Sequence, residues 1–232
     1  MWCYLFNSKC LLTIVAFLAL FDGTLLVSSD DSVAKTLINV DVYYETLCGD
    51  SMRWIKEQLV PNYASLKEHL NVTFVPYGKA THTRDGTGLW QFSCQHGSSE
   101  CSGNKAQACA IHAVESDYLG KTRQDLTVNL IGCAMSARYP PNSIDECASK
   151  YGLNDATRTR ITECIGGTLG DDLLAAHGDK TWALEPQLSF VPTIVINGVN
   201  SRENQGNVLY HFANYICGLL SESEKASACA TQ

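Results

Sequence analysis

The chain has 232 residues, 45% hydrophobic and 18% charged, a balance that suits a packed globular protein and excludes disorder as the global state. With 17 Lys and Arg against 24 Asp and Glu, the net charge is -7, so the long-range field repels phosphate backbones and argues against nucleic-acid binding as the main role. Eleven cysteines point to an oxidising compartment, because a reducing cytosol rarely supports that density outside metal sites or catalysis.

The first segment agrees with that compartment. Lys9 precedes the apolar run Leu11 to Phe21, and Val27-Ser28-Ser29 supplies small residues for cleavage, so residues 1–29 read as a signal peptide and 30–232 as one domain. The run is shorter than the ~20 residues of a bilayer crossing, Asp22 closes it, and no later segment could span a membrane. Asn71-Val72-Thr73 is the one glycosylation sequon, placing a glycan at Asn71 on the surface. Cleavage removes Cys3 and Cys10 and leaves nine cysteines, 11 minus 2. That number is odd, so one thiol stays unpaired, and four bridges among the other eight allow about a hundred connectivities.

Thr36 to Tyr44 alternates with one thoroughly apolar face and predicts a strand. Met52, Ile55, Leu59, Tyr63, Leu66 and Leu70 then recur at helical spacing, predicting a helix that opens at or just after Cys48 and is ended or kinked at Pro61. Val72 to Tyr77 is a second β-rich run, so the opening third reads β-α-β. From about 78 to 186 strands are expected to give way to a helical, disulfide-rich insertion carrying six of the nine remaining cysteines. Helices are expected over Asn104–Tyr118, Thr127–Arg138, Ser143–Lys150, Asp155–Ile165 and Thr168–Leu184, with Ser143 and Glu146 as a capping pair. A strand over Ser189–Ile196, a hairpin signal at Asn197-Gly198 and a last helix over Val208–Cys217 complete a β-β-α ending. This order, taken together with Cys48 at the start of the first helix and Pro192 at the start of the late strand, describes an α/β thioredoxin-like fold with a long insertion.

Chemistry concentrates at Cys48-Gly49-Asp50-Ser51. A cysteine between a strand end and a helix start is placed where the helix dipole and free amides stabilise a thiolate. Ser51 holds the position of the second thiol in a Cys-x-x-Cys pair. Its hydroxyl could donate to the sulfur, but it cannot attack a mixed disulfide and release it. Asp50 sets a carboxylate close to the sulfur and opposes the dipole. Val191-Pro192-Thr193 supplies a proline that, in such a sheet, would be a cis residue facing Cys48, where an extended peptide could pair.

The run Cys94-Gln95-His96-Gly97-Ser98-Ser99-Glu100-Cys101-Ser102-Gly103-Asn104 resembles the signature C-Q-H-G-x-x-E-C-x-x-N of the gamma-interferon-inducible lysosomal thiol reductase (GILT) family, with every fixed position present. Tyr43-Tyr44-Glu45-Thr46-Leu47-Cys48 and Phe190-Val191-Pro192 look like that family's approach to its cysteine and its proline loop. The resemblance implies a protein-disulfide reductase working through Cys-x-x-Cys, from which Ser51 departs. It therefore implies chemistry through a single thiol, Cys48, resolved by an external thiol such as glutathione, with weak or absent dithiol reductase activity. The alternative is a non-catalytic secreted recognition protein on the same scaffold.

Cys94, Cys101, Cys109, Cys133, Cys147, Cys164, Cys217 and Cys229 are read as structural disulfides and Cys48 as the free thiol, which invites a mixed disulfide or a disulfide-linked homodimer. Zinc on Cys94, Cys101, Cys109, His96 and His112 is set aside because the paired Cys-x-x-Cys knuckles are missing, so no metal or other cofactor is expected. His96 reads as a hydrogen-bonded loop histidine, Trp54 and Trp90 as packing residues, and Asp171-Asp172 as a solvated acidic pair. The expected partner is a disulfide-containing or extended polypeptide, met in the lysosome or outside the cell.

Overall fold

A computed structural model describes residues 35–230, and the segment read as a signal peptide lies outside them. Strand β1 (Ile38–Tyr44) is the middle of a three-stranded sheet. Its alternation buries Ile38, Val40, Val42 and Tyr44 in the main core, while Tyr43 packs with Val75, Leu184 and Val195 in a smaller cluster. β2 (Leu70–Pro76) runs parallel to it, from Ile38 beside Leu70 to Tyr44 beside Pro76. On the other edge β5 (Thr193–Ile196) runs antiparallel, with Tyr43 beside Thr193 and Val40 beside Ile196.

The crossover between β1 and β2 is helical from Gly49 to His69. It begins as α1 (Gly49–Trp54), widens into a π turn at Ile55–Leu59 and continues as α2 (Val60–Leu66). Pro61 explains the widening: it has no N–H to donate, and its ring would strike the carbonyl one regular turn back. The proline thus falls in the first turn of α2, where a missing donor costs nothing. Trp54, Ile55, Leu59, Tyr63 and Leu66 still bury one face against the sheet.

Strands do not disappear after Gly78. β3 (Thr81–Arg84) and β4 (Trp90–Ser93) form a separate antiparallel hairpin. Asp85 closes it, its Oδ1 accepting from the amides of Thr87 (2.8 Å) and Leu89 (3.1 Å) and from the Thr87 hydroxyl (2.6 Å). Those bonds hold the Asp85 carboxyl down at a pKa of about 2. The hairpin is anchored by His82, whose ring stacks on Trp182 at 4.2 Å and whose Nδ1 meets the Tyr77 hydroxyl at 2.6 Å.

The next helices are α3 (Ser98–Asp117), α4 (Gly120–Ser136), α5 (Ile144–Lys150), α6 (Asp155–Gly166) and α7 (Thr168–Trp182). The first two start earlier than periodicity places them. Disulfide Cys109–Cys164 ties α3 to α6, and Cys133–Cys147 ties α4 to α5. Ser143 does not cap α5: its own backbone is already helical after a tight turn at Pro140–Asn142, and its hydroxyl donates back to the Pro140 carbonyl at 2.8 Å.

The end of the chain also departs from the expected β-β-α order. The Pro192 ring restricts β5 to Thr193 onward, and Asn197 and Gly198 do turn with positive φ (50° and 76°). Beyond that turn the sheet gains only one bridge, Ile196 to Val199, because the chain then enters α8 (Arg202–Tyr210), capped by Ser201 accepting from the Asn204 amide at 3.3 Å. The expected last helix breaks at His211 and resumes as α9 (Phe212–Gly218). A further helix α10 (Glu222–Ala228) carries a capping box of the kind expected at Ser143, here made by Ser221 and Glu224. Disulfide Cys217–Cys229 closes this end. Glu224 also accepts from the amide (2.7 Å) and hydroxyl (3.1 Å) of Thr36, just ahead of β1.

Candidate functional site

Cys48 is the residue at which β1 has ended and the helical crossover begins: its own backbone is extended and its carbonyl already accepts from the Met52 amide at 3.0 Å. It is the free cysteine among the described residues, the other eight forming four bridges, including Cys94–Cys101. Its sulfur is part-buried and faces the carbonyl of Val191 at 3.7 Å, and the Val191-Pro192 peptide is cis. Cysteine and proline loop, 143 residues apart in sequence, are therefore in contact.

Ser51 is fully buried, and its Oγ accepts from the Glu45 amide at 3.5 Å. Among the described residues no hydrogen bond joins it to Cys48, so the expected donation to the sulfur is absent from the resting arrangement. Asp50 is occupied as well, pairing with Arg53 at 2.5 Å in an exposed contact.

Two signature residues, Glu100 and Asn104, bond to Thr46 on the loop that presents Cys48, and the others shape the entry to α3. Cys94 and Cys101 are bridged to each other. Gly97 takes φ 84°, a left-handed conformation that favours glycine, and α3 starts on its far side. Asn104 is fully buried, and its Oδ1 accepts from the Thr46 amide at 3.0 Å. The Thr46 hydroxyl in turn donates to the Glu100 carbonyl at 3.2 Å. Gly103 has no room for a side chain, since a Cβ there would lie 2.6 Å from Thr46 Oγ1. Glu100, also fully buried, accepts from the His96 amide at 3.1 Å and meets His96 Nδ1 at 2.5 Å. Gln95 is exposed.

Sequence reasoning gave no role to Glu45, yet it is fully buried beside Glu100 and His96. Burial pushes its carboxyl up, opposed by the Lys79 amide it accepts at 2.6 Å, and the Glu100 charge adds to the rise. The signal for it was the run before Cys48 itself, but nothing there foretold that Gly78 would close over it.

A groove of about 270 Å³ opens beside the proline loop, lined by Arg53, Trp54, Glu57, Phe190, Pro192 and Tyr210 among others. Trp54 is packed as expected, its Nε1 donating to the Val208 carbonyl at 3.1 Å, and still forms one wall. Trp90 lies away from the groove in the hairpin, donating to Asp172 at 2.7 Å with Arg84 over its ring. Asp171 and Asp172 are thus not simply solvated: Asp171 pairs with Lys105 at 2.8 Å and Asp172 holds Trp90. Asn71 is exposed at the start of β2, its amide donating to Asn39 Oδ1 at 2.8 Å. No described helix is long and apolar enough to cross a membrane.

A lone thiol at a helix start, set against a cis-proline loop on this sheet, defines a thiol protein of the thioredoxin-like fold. The fold is shared with the MdbA protein, a thiol-disulfide oxidoreductase from Actinomyces oris, at a TM-score of 0.51 and 12% identity, over 82% of this chain and 84% of that one. Residues 39–151 match the family described as gamma interferon inducible lysosomal thiol reductase (GILT). The chain is 34% identical to GILT-like protein 1 of Drosophila melanogaster, covering 84% of this chain and 79% of that one. It is 32% identical to the gamma-interferon-inducible lysosomal thiol reductase of Carassius auratus, over 83% and 72% respectively. The chain belongs to the GILT family.

Proposed function

We propose that this GILT family member is a single-thiol disulfide oxidoreductase of the secretory pathway, lysosomal or secreted, with Cys48 as nucleophile and Ser51 in place of a resolving thiol. The observation that carries this is Cys48 Sγ at a helix start, 3.7 Å from the carbonyl beside the cis proline. An extended polypeptide disulfide lying along Val191 and Pro192 brings one of its sulfurs to Cys48. The thiolate attacks that sulfur, the substrate disulfide breaks, and the second substrate sulfur leaves as a thiolate that takes a proton from water. Ser51 cannot complete the cycle, so an external thiol such as glutathione attacks the mixed disulfide and frees the first substrate sulfur as a thiol. A second glutathione then reduces the Cys48–glutathione disulfide and leaves as oxidised glutathione. One substrate disulfide becomes two thiols as two glutathiones are oxidised. Internal resolution is missing, so dithiol reductase turnover is weak, and the partly exposed thiol also permits a Cys48-linked homodimer. Asn71, exposed on its sequon, carries a glycan.

The experiment compares parent, Cys48→Ser and Ser51→Cys proteins on a disulfide-bonded protein substrate, with and without glutathione, at about pH 5 and about pH 7. Glutathione-dependent reduction by the parent that Cys48→Ser abolishes and Ser51→Cys raises is the expected outcome. An inert parent beside an active Ser51→Cys variant would instead identify a recognition protein on an intact reductase scaffold.

A further inference from the structure

Glu45, His96 and Glu100 meet from two separate segments, the loop after β1 and the loop entering α3. Both carboxylates are fully buried, whereas the His96 side chain is 41% exposed and opens the cluster to solvent. Each carboxylate is held by its far oxygen: Glu45 Oε1 accepts from the Lys79 amide at 2.6 Å and Glu100 Oε1 from the His96 amide at 3.1 Å. Both near oxygens consequently turn to one point, His96 Nδ1, with Glu100 Oε2 at 2.5 Å and Glu45 Oε2 at 3.5 Å. The three donor atoms lie within 4.8 Å of one another. Glu45 Oε2 is one of the few buried side-chain atoms among the described residues without a hydrogen-bond partner. A buried carboxylate oxygen left without a donor is costly and aims its lone pairs at whatever fills the gap.

We propose that Glu45, His96 and Glu100 are the protein ligands of a single divalent transition-metal ion of the zinc type. One borderline imidazole nitrogen with two carboxylate oxygens is a mixed donor set that suits zinc, and it holds too few oxygens for calcium, which takes six to eight. Metal–ligand distances of about 2.0–2.2 Å put tetrahedral donors roughly 3.3 Å apart, so Glu45 Oε2 already stands near its place and Glu100 Oε2 has to draw back by less than about 1 Å. Two carboxylates and a neutral imidazole carry a charge that a divalent ion cancels. The backbone amides on the far oxygens supply the outer support that fixes ligand direction. Gly78 seals the inner side, since a Cβ there would lie 2.3 Å from Glu45 Cγ, and the exposed His96 side leaves the fourth position to water. This set differs from zinc shared by cysteine and histidine, whose candidate sulfurs Cys94, Cys101 and Cys109 are all in disulfides. These ligands involve no sulfur, and Glu45 lies 51 residues ahead of His96, 96 minus 45. Glu45 also carries the loop that presents the thiol, its carbonyl accepting from the Cys48 amide at 3.3 Å and its amide donating to Ser51 at 3.5 Å. An ion on Glu45 therefore stiffens the segment on which Cys48 sits.

The test is zinc titration of the full chain against a competing chromophoric chelator at about pH 7, in a Cys48→Ser background so that no thiolate binds. One zinc per chain is expected, with Glu45→Gln and His96→Ala each weakening it at least about tenfold, and with calcium and magnesium failing to compete. Circular dichroism without zinc checks that the variants fold. If His96→Ala does not, Glu45→Gln decides alone, because it keeps the oxygen that accepts from Lys79 and replaces only the unpartnered one. Failure of the parent to take up one zinc, or undiminished binding by Glu45→Gln, overturns the assignment.

Discussion

Asn104→Leu isolates the contribution of one signature residue to the loop before the free thiol of Cys48. The Asn104 side chain is fully buried, and its Oδ1 is the acceptor for the Thr46 amide at 3.0 Å, with Thr46 itself fully buried. Leucine fills a similar volume but leaves that amide in the interior without an acceptor, which costs about 1–3 kcal/mol. Asn104 Nδ2 has no partner, so losing it removes no compensating bond. A net loss of about 2 kcal/mol is expected, equivalent to roughly 4–8 °C in melting temperature for a domain of this size. Because Thr46 is two residues before Cys48, the alkylation rate of Cys48 by iodoacetamide should change in parallel, read by mass spectrometry on native protein. Stability within about 0.5 kcal/mol of the parent by urea unfolding would refute the claim that this hydrogen bond holds the loop.

Three further perturbations probe bridges and titrating groups elsewhere in the fold. Replacing Cys109 and Cys164 by alanine opens a link across 55 residues and should cost about 4 kcal/mol by loop entropy, against about 2 kcal/mol for Cys94 and Cys101, which span 7; urea midpoints give the order. His177 is held down to a pKa of about 4, mainly by burial and next by the Lys180 charge, against an ordinary 6.5. The unfolded chain then binds the extra proton between those values, so this residue lowers stability as pH falls from 6.5 to 4, by up to about 3 kcal/mol, and His177→Gln should flatten that slope in a pH series of thermal melts. Asp85 works in the opposite sense: its lowered pKa contributes stability present above about pH 4 and lost as pH falls through about 2. Asp85→Ala should therefore lower the amide protection factors across Thr81–Ser93 at neutral pH and abolish their fall in acid.

The parts of the fold legible in sequence are those whose signal is local. β1 and the crossover helix announce themselves by alternation and by three-to-four spacing, and Pro61 marks where that spacing must give. The hairpin does not, because Thr81–Arg84 and Trp90–Ser93 are four-residue runs with polar faces, and their stability comes from His82 stacking on Trp182, about a hundred residues away. Asn197-Gly198 forms the turn its residues prescribe, yet the chain then reaches a helix cap at Ser201 in place of a strand. In the site, Cys48 and Pro192 could be read from a strand end and an out-of-place proline. The burial of Glu45 could not, since it depends on Gly78 and on the first turn of α3 arriving from elsewhere in the chain.

The bonds that Thr36 donates to Glu224 bring the segment before β1 and α10 into direct contact. Where the two ends of the described region, 35–230, lie beside each other in this way, its elements can be rewired: their order is not needed to keep their neighbours. Joining residue 229 to residue 36 through a short glycine-serine linker, and opening the backbone at the exposed hairpin tip between Gly86 and Gly88, gives a circular permutant in which no connection within the β2-β1-β5 sheet is cut. In that permutant Cys48 and the Val191-Pro192 loop still meet, although the sequence distance between them would run through a different set of connections.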